Sequence, residues 1–300
     1  MSRHLDPRRR VKVTGVDRRA YNSIMSGLRM RWLRLGEILR AEKGVLIAFS
    51  GGCDSTLALH AAVHFLGRDR VVAVTAASAS LAAEDRARAV RLAEMTGAAH
   101  RVVATDEMAN PDYVANPSNR CFFCKDELFQ KLFPIAAEKQ WTVMDGFNLS
   151  DCDDYRPGTL AAKKWSVRHP LLEASLAKRD VRALSRWQRL PTWNIPASPC
   201  LSSRIPYGTA VTPRALRQIE NAESMLRAKG FSIVRVRHFG DDAKIEVPKN
   251  KISDLAEELR RGNVISQFRA LGFERIIIDS EGFRSGKLND ALKNRAATLS

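Results

Sequence analysis

The sequence predicts an α/β fold: a parallel sheet with helices on its faces, followed by a smaller C-terminal α+β unit. Two observations predict it. Over the first half, short apolar runs at 45–49, 71–76, 100–104 and 142–147 alternate with helix-patterned stretches, and strands separated by helices join in parallel through right-handed crossovers. Beyond about Thr212 the order becomes helix, hairpin-like pair, helix and strand, which suits a compact α+β unit. The chain accordingly divides into a tail at 1–20, a parallel-sheet domain at 21–195 and a C-terminal domain at 196–300.

Residues 1 to about 18 are polar, Arg-rich and aperiodic, the pattern of a disordered tail. From 21 to 42, Ile24, Leu28, Trp32, Leu35 and Leu39 recur at helical spacing, and Gly44 closes that helix. Strand 45–49 follows, then a helix containing Leu57, Ala58, Ala61, Ala62, Phe65 and Leu66, then strand 71–76. A helix at 82–96 stops at Gly97 before strand 100–104. The segment 105–120, with Asn110-Pro111 and Asn116-Pro117, reads as irregular; a helix at 122–139 and strand 142–147 come next. A charged amphipathic helix at 178–189 ends before Pro191, and 191–212 turns to Pro, Ser and Gly. Thr212-Pro213 opens a helix to Lys229 with Pro near its first position, and Gly230 stops it. Residues 231–237 alternate as a strand and pair with 243–247 across Gly240-Asp241-Asp242; helix 251–271 and strand 275–279 complete the unit. No internal repeat is visible.

Composition narrows the function classes. With 300 residues, 45% of them hydrophobic, the chain can bury a sizeable core, but no run approaches the ~18 apolar residues of a membrane span. The Arg-rich start has no apolar stretch and is not a secretory signal. Five cysteines, an odd number in a long chain, argue against a disulfide scaffold and for a reducing cytoplasm. The formal charge of +16 is spread over Arg8-Arg9-Arg10, Lys163-Lys164, Lys178-Arg179 and Arg260-Arg261. It suits a polyanionic partner, tRNA or a phosphorylated small molecule, or else simply coats solvated faces.

Ser50-Gly51-Gly52-Cys53-Asp54-Ser55 sits where strand 45–49 gives way to a helix. Apolar strand, glycine turn and helix start together present backbone N–H groups to an anion. Gly51 and Gly52 let backbone approach a phosphate, Ser50, Ser55 and Thr56 add hydroxyls, and Asp54 can cap the helix or hold a magnesium-bound water. No Lys ends the loop, so it is not the GxxxxGK[ST] loop of P-loop NTPases. Ser78 and Ser80, just past the second strand, either stand where a parallel sheet meets an adenine or ribose or simply belong to a surface loop. The carboxylate-rich stretch from Asp145 to Gly158 either binds magnesium, orients substrate or is a solvated turn. Cys121 and Cys124, spaced Cys-x-x-Cys at a helix start where thiol pKa falls, read as half a zinc site, a redox pair or two buried thiols. A third thiol, from Cys200 or Cys152, would make three with one open position, which suits an iron–sulfur cluster better than structural zinc. Cys53 reads as a packing residue and Cys152 as a loop thiol.

The SGGxDS loop resembles that of the PP-loop ATPases, adenine nucleotide alpha hydrolase-like proteins in which it grips the pyrophosphate released when ATP adenylates a substrate. Five stretches make the resemblance specific: Ser50 to Ser55, Arg120-Cys121-Phe122-Phe123-Cys124-Lys125, Asp154 to Gly158, Ser198 to Gly208, and Gly282-Phe283-Arg284-Ser285-Gly286. Together, over about residues 22 to 290, they resemble the LarE family. The resemblance implies an ATP-dependent sulfurtransferase acting on pyridinium-3,5-biscarboxylic acid mononucleotide, on the route to the nickel-pincer nucleotide cofactor. ATP and Mg2+ adenylate a carboxylate, and sulfur displaces AMP. Two sulfur routes are implied: sacrifice of a lone cysteine at the Cys200 position, or a [4Fe–4S] cluster held by Cys121, Cys124 and Cys200 and supplied by a sulfide donor. This chain has all three cysteines and matches the second; Cys53 departs from the Val usual in the loop. The resemblance further implies Arg235 and Arg237, two apart on one strand face, as ligands of the substrate phosphate, Glu223 and Asp254 near a metal or phosphate, and a homo-oligomer, perhaps a hexamer. The rival reading is a PP-loop tRNA thiolase with the same cluster. It would explain the charge, but the C-terminal unit carries no nucleic-acid module signature.

Overall fold

The computed structural model describes residues 18–290 apart from Asp154 and Ser285. The tail read at 1–20 therefore lies almost wholly outside the described residues. Helix α1 (Arg18–Arg40) turns Leu28, Trp32, Leu35 and Leu39 inward. It leads to β1 (Val45–Ala48), α2 (Cys53–Leu66), β2 (Val71–Ala77), α3 (Ala83–Thr96) and β3 (Ala99–Ala104). In the segment expected to be irregular, Asn110 accepts from the Asp112 N–H, and with Pro111 at the first helical position it starts α4 (Pro111–Val114). Then come α5 (Arg120–Ala137), β4 (Thr142–Met144) and four short helices: α6 (Gly158–Lys164), α7 (Pro170–Glu173), α8 (Lys178–Trp187) and the 3₁₀ turn Leu201–Arg204.

The first sheet is wholly parallel, in the order β3-β2-β1-β4. Every residue of β1 is buried, as expected of a central parallel strand covered on both faces. Its alternate side chains feed two cores. Val45 and Ile47 pack with Leu35, Leu39, Leu57 and Leu184 from α1, α2 and α8, while Leu46 and Ala48 pack with Phe129, Leu132 and Val143 on the α5 face. The chain builds outward from β1 to β3 and then returns to place β4 on the other side of β1. The carboxyl ends of β1 and β4 thus flank the topological switch point, where open α/β sheets bind ligands.

After the linker, Thr212 caps α9 (Pro213–Ala228) by accepting from the Ala215 N–H. The hairpin forms over β5 (Arg235–Phe239) and β6 (Asp242–Glu246), later than the expected start at 231, and β7 (Arg275–Ile278) adds in parallel to β6. The expected helix 251–271 is two helices, α10 (Ile252–Arg260) and α11 (Asn263–Ala270). Gly262 at φ 85° breaks it, a left-handed conformation that glycine adopts at no steric cost. One core gathers Leu226, Val236, Ile245, Leu255 and Phe268, and a smaller cluster of Tyr113, Leu201, Ile205, Val211 and Ile219 joins this unit to α4. Among the described residues no helix is long and apolar enough to cross a membrane.

One glycine sets the spacing of the switch point. A Cβ on Gly146, just past β4, would lie 2.6 Å from the Ser55 backbone N and 2.9 Å from the Asp54 carbonyl carbon. Backbone at both contacts has to move. Gly146→Ala is expected to cost about 1–3 kcal/mol and to weaken nucleotide binding by shifting the α2 start, measured by urea unfolding and by calorimetry with an ATP analogue.

Candidate active site

The loop after β1 is tied into a knot by its own hydroxyls. Ser50 Oγ and Ser55 Oγ lie 3.1 Å apart, Ser55 Oγ donates to the Gly52 carbonyl at 3.3 Å, and the Gly52 N–H donates to Ser50 Oγ at 3.4 Å. Gly51 takes φ 68°, and a Cβ there would meet the Ala89 Cα of α3 at 2.9 Å, so α3 lies directly on the loop. Gly52 is the N-cap of α2 and supplies no side-chain cap, which leaves the helix start turned toward the cavity as an anion site. Asp54 does not cap α2. Its Oδ2 pairs with Lys178 Nζ at 2.5 Å and its Oδ1 accepts from Asn148 Nδ2 at 3.3 Å.

A cavity of about 580 Å³ opens from this loop. Its wall includes Ser50, Gly52 and Asp54, then Cys121 and Cys200, then Arg235 and Arg237. The loop after β1, two of the three thiols and the arginine pair therefore share one space. Lys125 and His169 reach the wall from opposite sides of buried Asp145, at 3.3 Å and 2.7 Å. Burial alone would raise the Asp145 pKa, but Lys125, His169 and the Phe147 N–H outweigh it and hold the carboxylate well below its ordinary range.

Cys121 and Cys124 stand in the first turns of α5, and Cys200 precedes the 3₁₀ turn Leu201–Arg204. The pKa values of Cys121 and Cys124 run opposite to the helix-start expectation. Burial raises Cys121, with the charge of Cys200 adding to it and Arg120, Lys125 and Arg156 opposing; Cys124 is raised further by burial, Glu107 and the other two thiols. Cys121 is exposed to the cavity, whose walls desolvate it, and desolvation outweighs the α5 dipole. The donor chemistry of three mutually interacting thiols fits an iron–sulfur cluster. Among the described residues no group of three or more His, Cys, Asp or Glu side chains is placed to hold a single metal ion.

Arg235 is 7% exposed and donates to two carbonyls, Val234 O at 2.8 Å and Ala197 O at 3.0 Å, with its guanidinium over the Phe283 ring. Burial, followed by repulsion from Arg204, lowers its pKa to about 10. Arg237 is already held by Glu246 in a two-bond fork at 3.0 Å. Ser78 is not on the cavity wall: its hydroxyl lies 3.0 Å from Ser80 Oγ, and Ser80 in turn donates to Glu107.

The structure does not bring Glu223 or Asp254 to the cavity. Glu223 is fully buried, and both its oxygens are occupied: Arg204 Nε and Nη2 at 2.8 and 2.9 Å, Arg227 at 2.7 Å and the Val236 N–H at 3.0 Å. Such a carboxylate has no face left for a metal. Asp254 lies exposed on α10, paired with Lys251. Cys53 is packed in the first core, 3.7 Å from Ser185 Oγ, and Cys152 is exposed. The carboxylates after β4 form a network instead of a bare solvated turn: Asp151 accepts from the Asn148 N–H and Nδ2 and pairs with Arg156 at 2.7 Å. Asp154 lies outside the described residues.

Sequence reasoning missed Lys178, the cation that the loop itself lacks, because it arrives from α8, 124 residues after its partner Asp54. His169 was equally silent. Lys125 carried a faint signal, four positions after Cys121 and so on the same helix face.

Comparison with known proteins adds four findings. The NAD synthase family model matches residues 33–112. A protein from Lactiplantibacillus plantarum, pyridinium-3,5-bisthiocarboxylic acid mononucleotide synthase, is 39% identical over 277 residues, 92% of this chain and 100% of its own length. An uncharacterised protein from Synechocystis sp. is 45% identical over 86% of this chain and 94% of its own. A structure of NMN synthetase from Francisella tularensis superposes with TM-score 0.47 at 18% identity, covering 57% of this chain and 75% of that one.

The burial of Glu223 against Arg204 generates a test. Glu223→Ala strands a guanidinium that is 2% exposed. It is expected to destabilise the fold by about 3–5 kcal/mol, read from the urea midpoint.

Proposed function

This chain belongs to the family of the pyridinium-3,5-bisthiocarboxylic acid mononucleotide synthase, LarE, and from that membership we propose that it is an ATP-dependent sulfurtransferase acting on pyridinium-3,5-biscarboxylic acid mononucleotide. A substrate carboxylate oxygen attacks the α-phosphate of ATP, giving an acyl adenylate and pyrophosphate. A sulfur nucleophile then adds to the carboxyl carbon, and its C–O bond to AMP breaks, leaving a thiocarboxylate. A free carboxylate is a poor electrophile, and adenylation converts one oxygen into a leaving group. The single cavity shared by Ser50, Gly52, Cys121, Cys200 and Arg235 carries the reading.

Each residue has a role by its chemistry. The open start of α2, the Ser50 and Ser55 hydroxyls and Lys178 receive the pyrophosphate. Asp54, at the loop, is the carboxylate suited to the Mg2+ that arrives with ATP. Arg235, whose guanidinium donates only to carbonyls among its described hydrogen bonds, receives the substrate phosphate, and Arg237 joins it by exchanging Glu246 for that anion. Cys121, Cys124 and Cys200 hold a [4Fe–4S] cluster. When bound, a cluster with three protein ligands supplies an iron with an open position for sulfur. Arg120, 2% exposed and donating to the Ser202 carbonyl, is the fixed cation beside the thiols. Activation belongs to residues 21–195 and substrate binding to 196–300. The family membership leads us to propose a homo-oligomer as well, and it favours this substrate over tRNA.

With ATP, Mg2+, sulfide and the pyridinium biscarboxylate, the reconstituted protein is expected to form AMP and thiocarboxylate together. Turnover of tRNA in place of the pyridinium nucleotide would overturn the reading. Anaerobic reconstitution is expected to give a brown, iron-containing protein whose colour is lost in Cys121→Ala, Cys124→Ala and Cys200→Ala; stoichiometric zinc without iron rejects the cluster. Intact mass after turnover separates the sulfur routes, since loss of hydrogen sulfide at Cys200 would mean the sacrificial one.

A further inference from the structure

Asp85 and Arg88 have no part in the roles above, yet they join the two halves of the site. Both are on α3, the helix that lies on Gly51. Arg88 Nε donates to the Gly51 carbonyl at 3.4 Å, and its Nη1 pairs with Asp85 Oδ1 at 2.7 Å. The other Asp85 oxygen, Oδ2, accepts from the Ser198 hydroxyl at 2.8 Å. Ser198 lies two residues before Cys200. A line of contacts thus runs from the nucleotide loop, through one arginine and one carboxylate, to the segment that carries the thiol.

That segment is held along its length. Arg235 holds the Ala197 carbonyl at 3.0 Å, Arg204 holds the Pro199 and Cys200 carbonyls at 2.6 and 3.0 Å, and the Leu201 N–H donates to the Ser80 carbonyl at 2.8 Å. Both arginines belong to the C-terminal half. From the opposite side Arg120 and Tyr113 hold Ser202, while Asp85 holds Ser198 before the thiol, and its own partner reaches the loop. Addition of sulfur to the carboxyl carbon of an adenylate tolerates little error, since a displacement of about 1 Å costs on the order of 10²-fold in rate.

Resting on the function proposed above, we infer that Asp85 and Arg88 are positioning residues for sulfur transfer: through the Ser198 hydroxyl they fix Cys200 in register with the loop that holds the activated carboxylate. Adenylation does not need this register; delivery to the adenylate does. Asp85 also lies in the first turn of α3, where a carboxylate suits the helix dipole, so the decisive change is made at Ser198, outside any helix.

In the full chain, Ser198→Ala is expected to keep substrate-dependent ATP–pyrophosphate exchange and the urea midpoint, while sulfur transfer falls by about 10- to 100-fold. Ser198→Thr, which keeps the hydroxyl, is expected to restore transfer. Before iron is added, iodoacetamide should alkylate Cys200 several-fold faster in Ser198→Ala and Asp85→Ala, and in the double variant no faster than in Asp85→Ala alone. Exchange and transfer falling equally, or transfer and alkylation both unchanged, would overturn the positioning role. Absence of exchange in the unaltered chain would overturn the functional reading, and the positioning role with it. Intact exchange with unaffected transfer removes the positioning role alone.

Discussion

The buried pair of Arg204 and Glu223 is the constraint on which the site depends. With 2% and 0% of their side chains exposed, the two charges have left water and must satisfy each other. A two-bond fork between guanidinium and carboxylate fixes orientation as well as charge. The pair's value lies in what the remaining donors then do. Arg204 turns Nη1 onto the carbonyls of Pro199 and Cys200, and Glu223 receives the Val236 N–H at the edge of the second sheet. A thiol on a linker rich in Pro and Ser thus acquires the placement of a core residue. Glu223, which the resemblance implies near a metal or phosphate, anchors through Arg204 the segment that carries Cys200.

The first sheet imposes the complementary constraint. Because β4 returns to the far side of β1, their two exit loops diverge around a crevice, and Gly146 lets them approach to backbone contact. That crevice holds an open helix start at α2, while α5, with Cys121 and Cys124 in its first turns, lines the same space. Topology alone therefore brings phosphate chemistry and thiol chemistry to one place. Desolvation by the same walls raises the Cys121 and Cys124 thiols above their ordinary range.

How much of this was legible follows from the range of each interaction. The strands and the loop were readable because their causes are local: a four-residue apolar run, two glycines and a helix pattern within twenty residues. Helix 251–271 was misread because its apolar period continues across Gly262, and only the backbone turn at that glycine divides it. The helix-start rule for Cys121 and Cys124 gave the wrong direction because burial, a tertiary property, outweighs a local dipole. Lys178 with Asp54 and Ser198 with Asp85 are separated by 124 and 113 residues. No period or motif encodes such pairs; they exist only once β4 and the linker have come home.

Charge, finally, says what kind of anion the cavity is built for. A formal +16 suggests a surface field for a polyanion, yet the cations on the cavity wall are mostly committed. Lys125 faces Asp145, Lys178 faces Asp54, Arg156 faces Asp151 and Arg237 faces Glu246. A ligand phosphate gains such a cation only by displacing its carboxylate, so the net attraction is small unless the anion sits at the atom the carboxylate vacates. The pairing reduces the local field of the cavity wall, because each pair is nearly neutral at a distance, while the net +16 is left unchanged. Short-range geometric fit is rewarded instead. Arg235 and Arg120 differ: their described hydrogen bonds go to carbonyl and amide oxygens and not to carboxylates. A wall of exchangeable pairs with two cations bound only to neutral oxygens, Arg120 and Arg235, suits a compact, multiply anionic small molecule, which is the electrostatic form of a nucleotide.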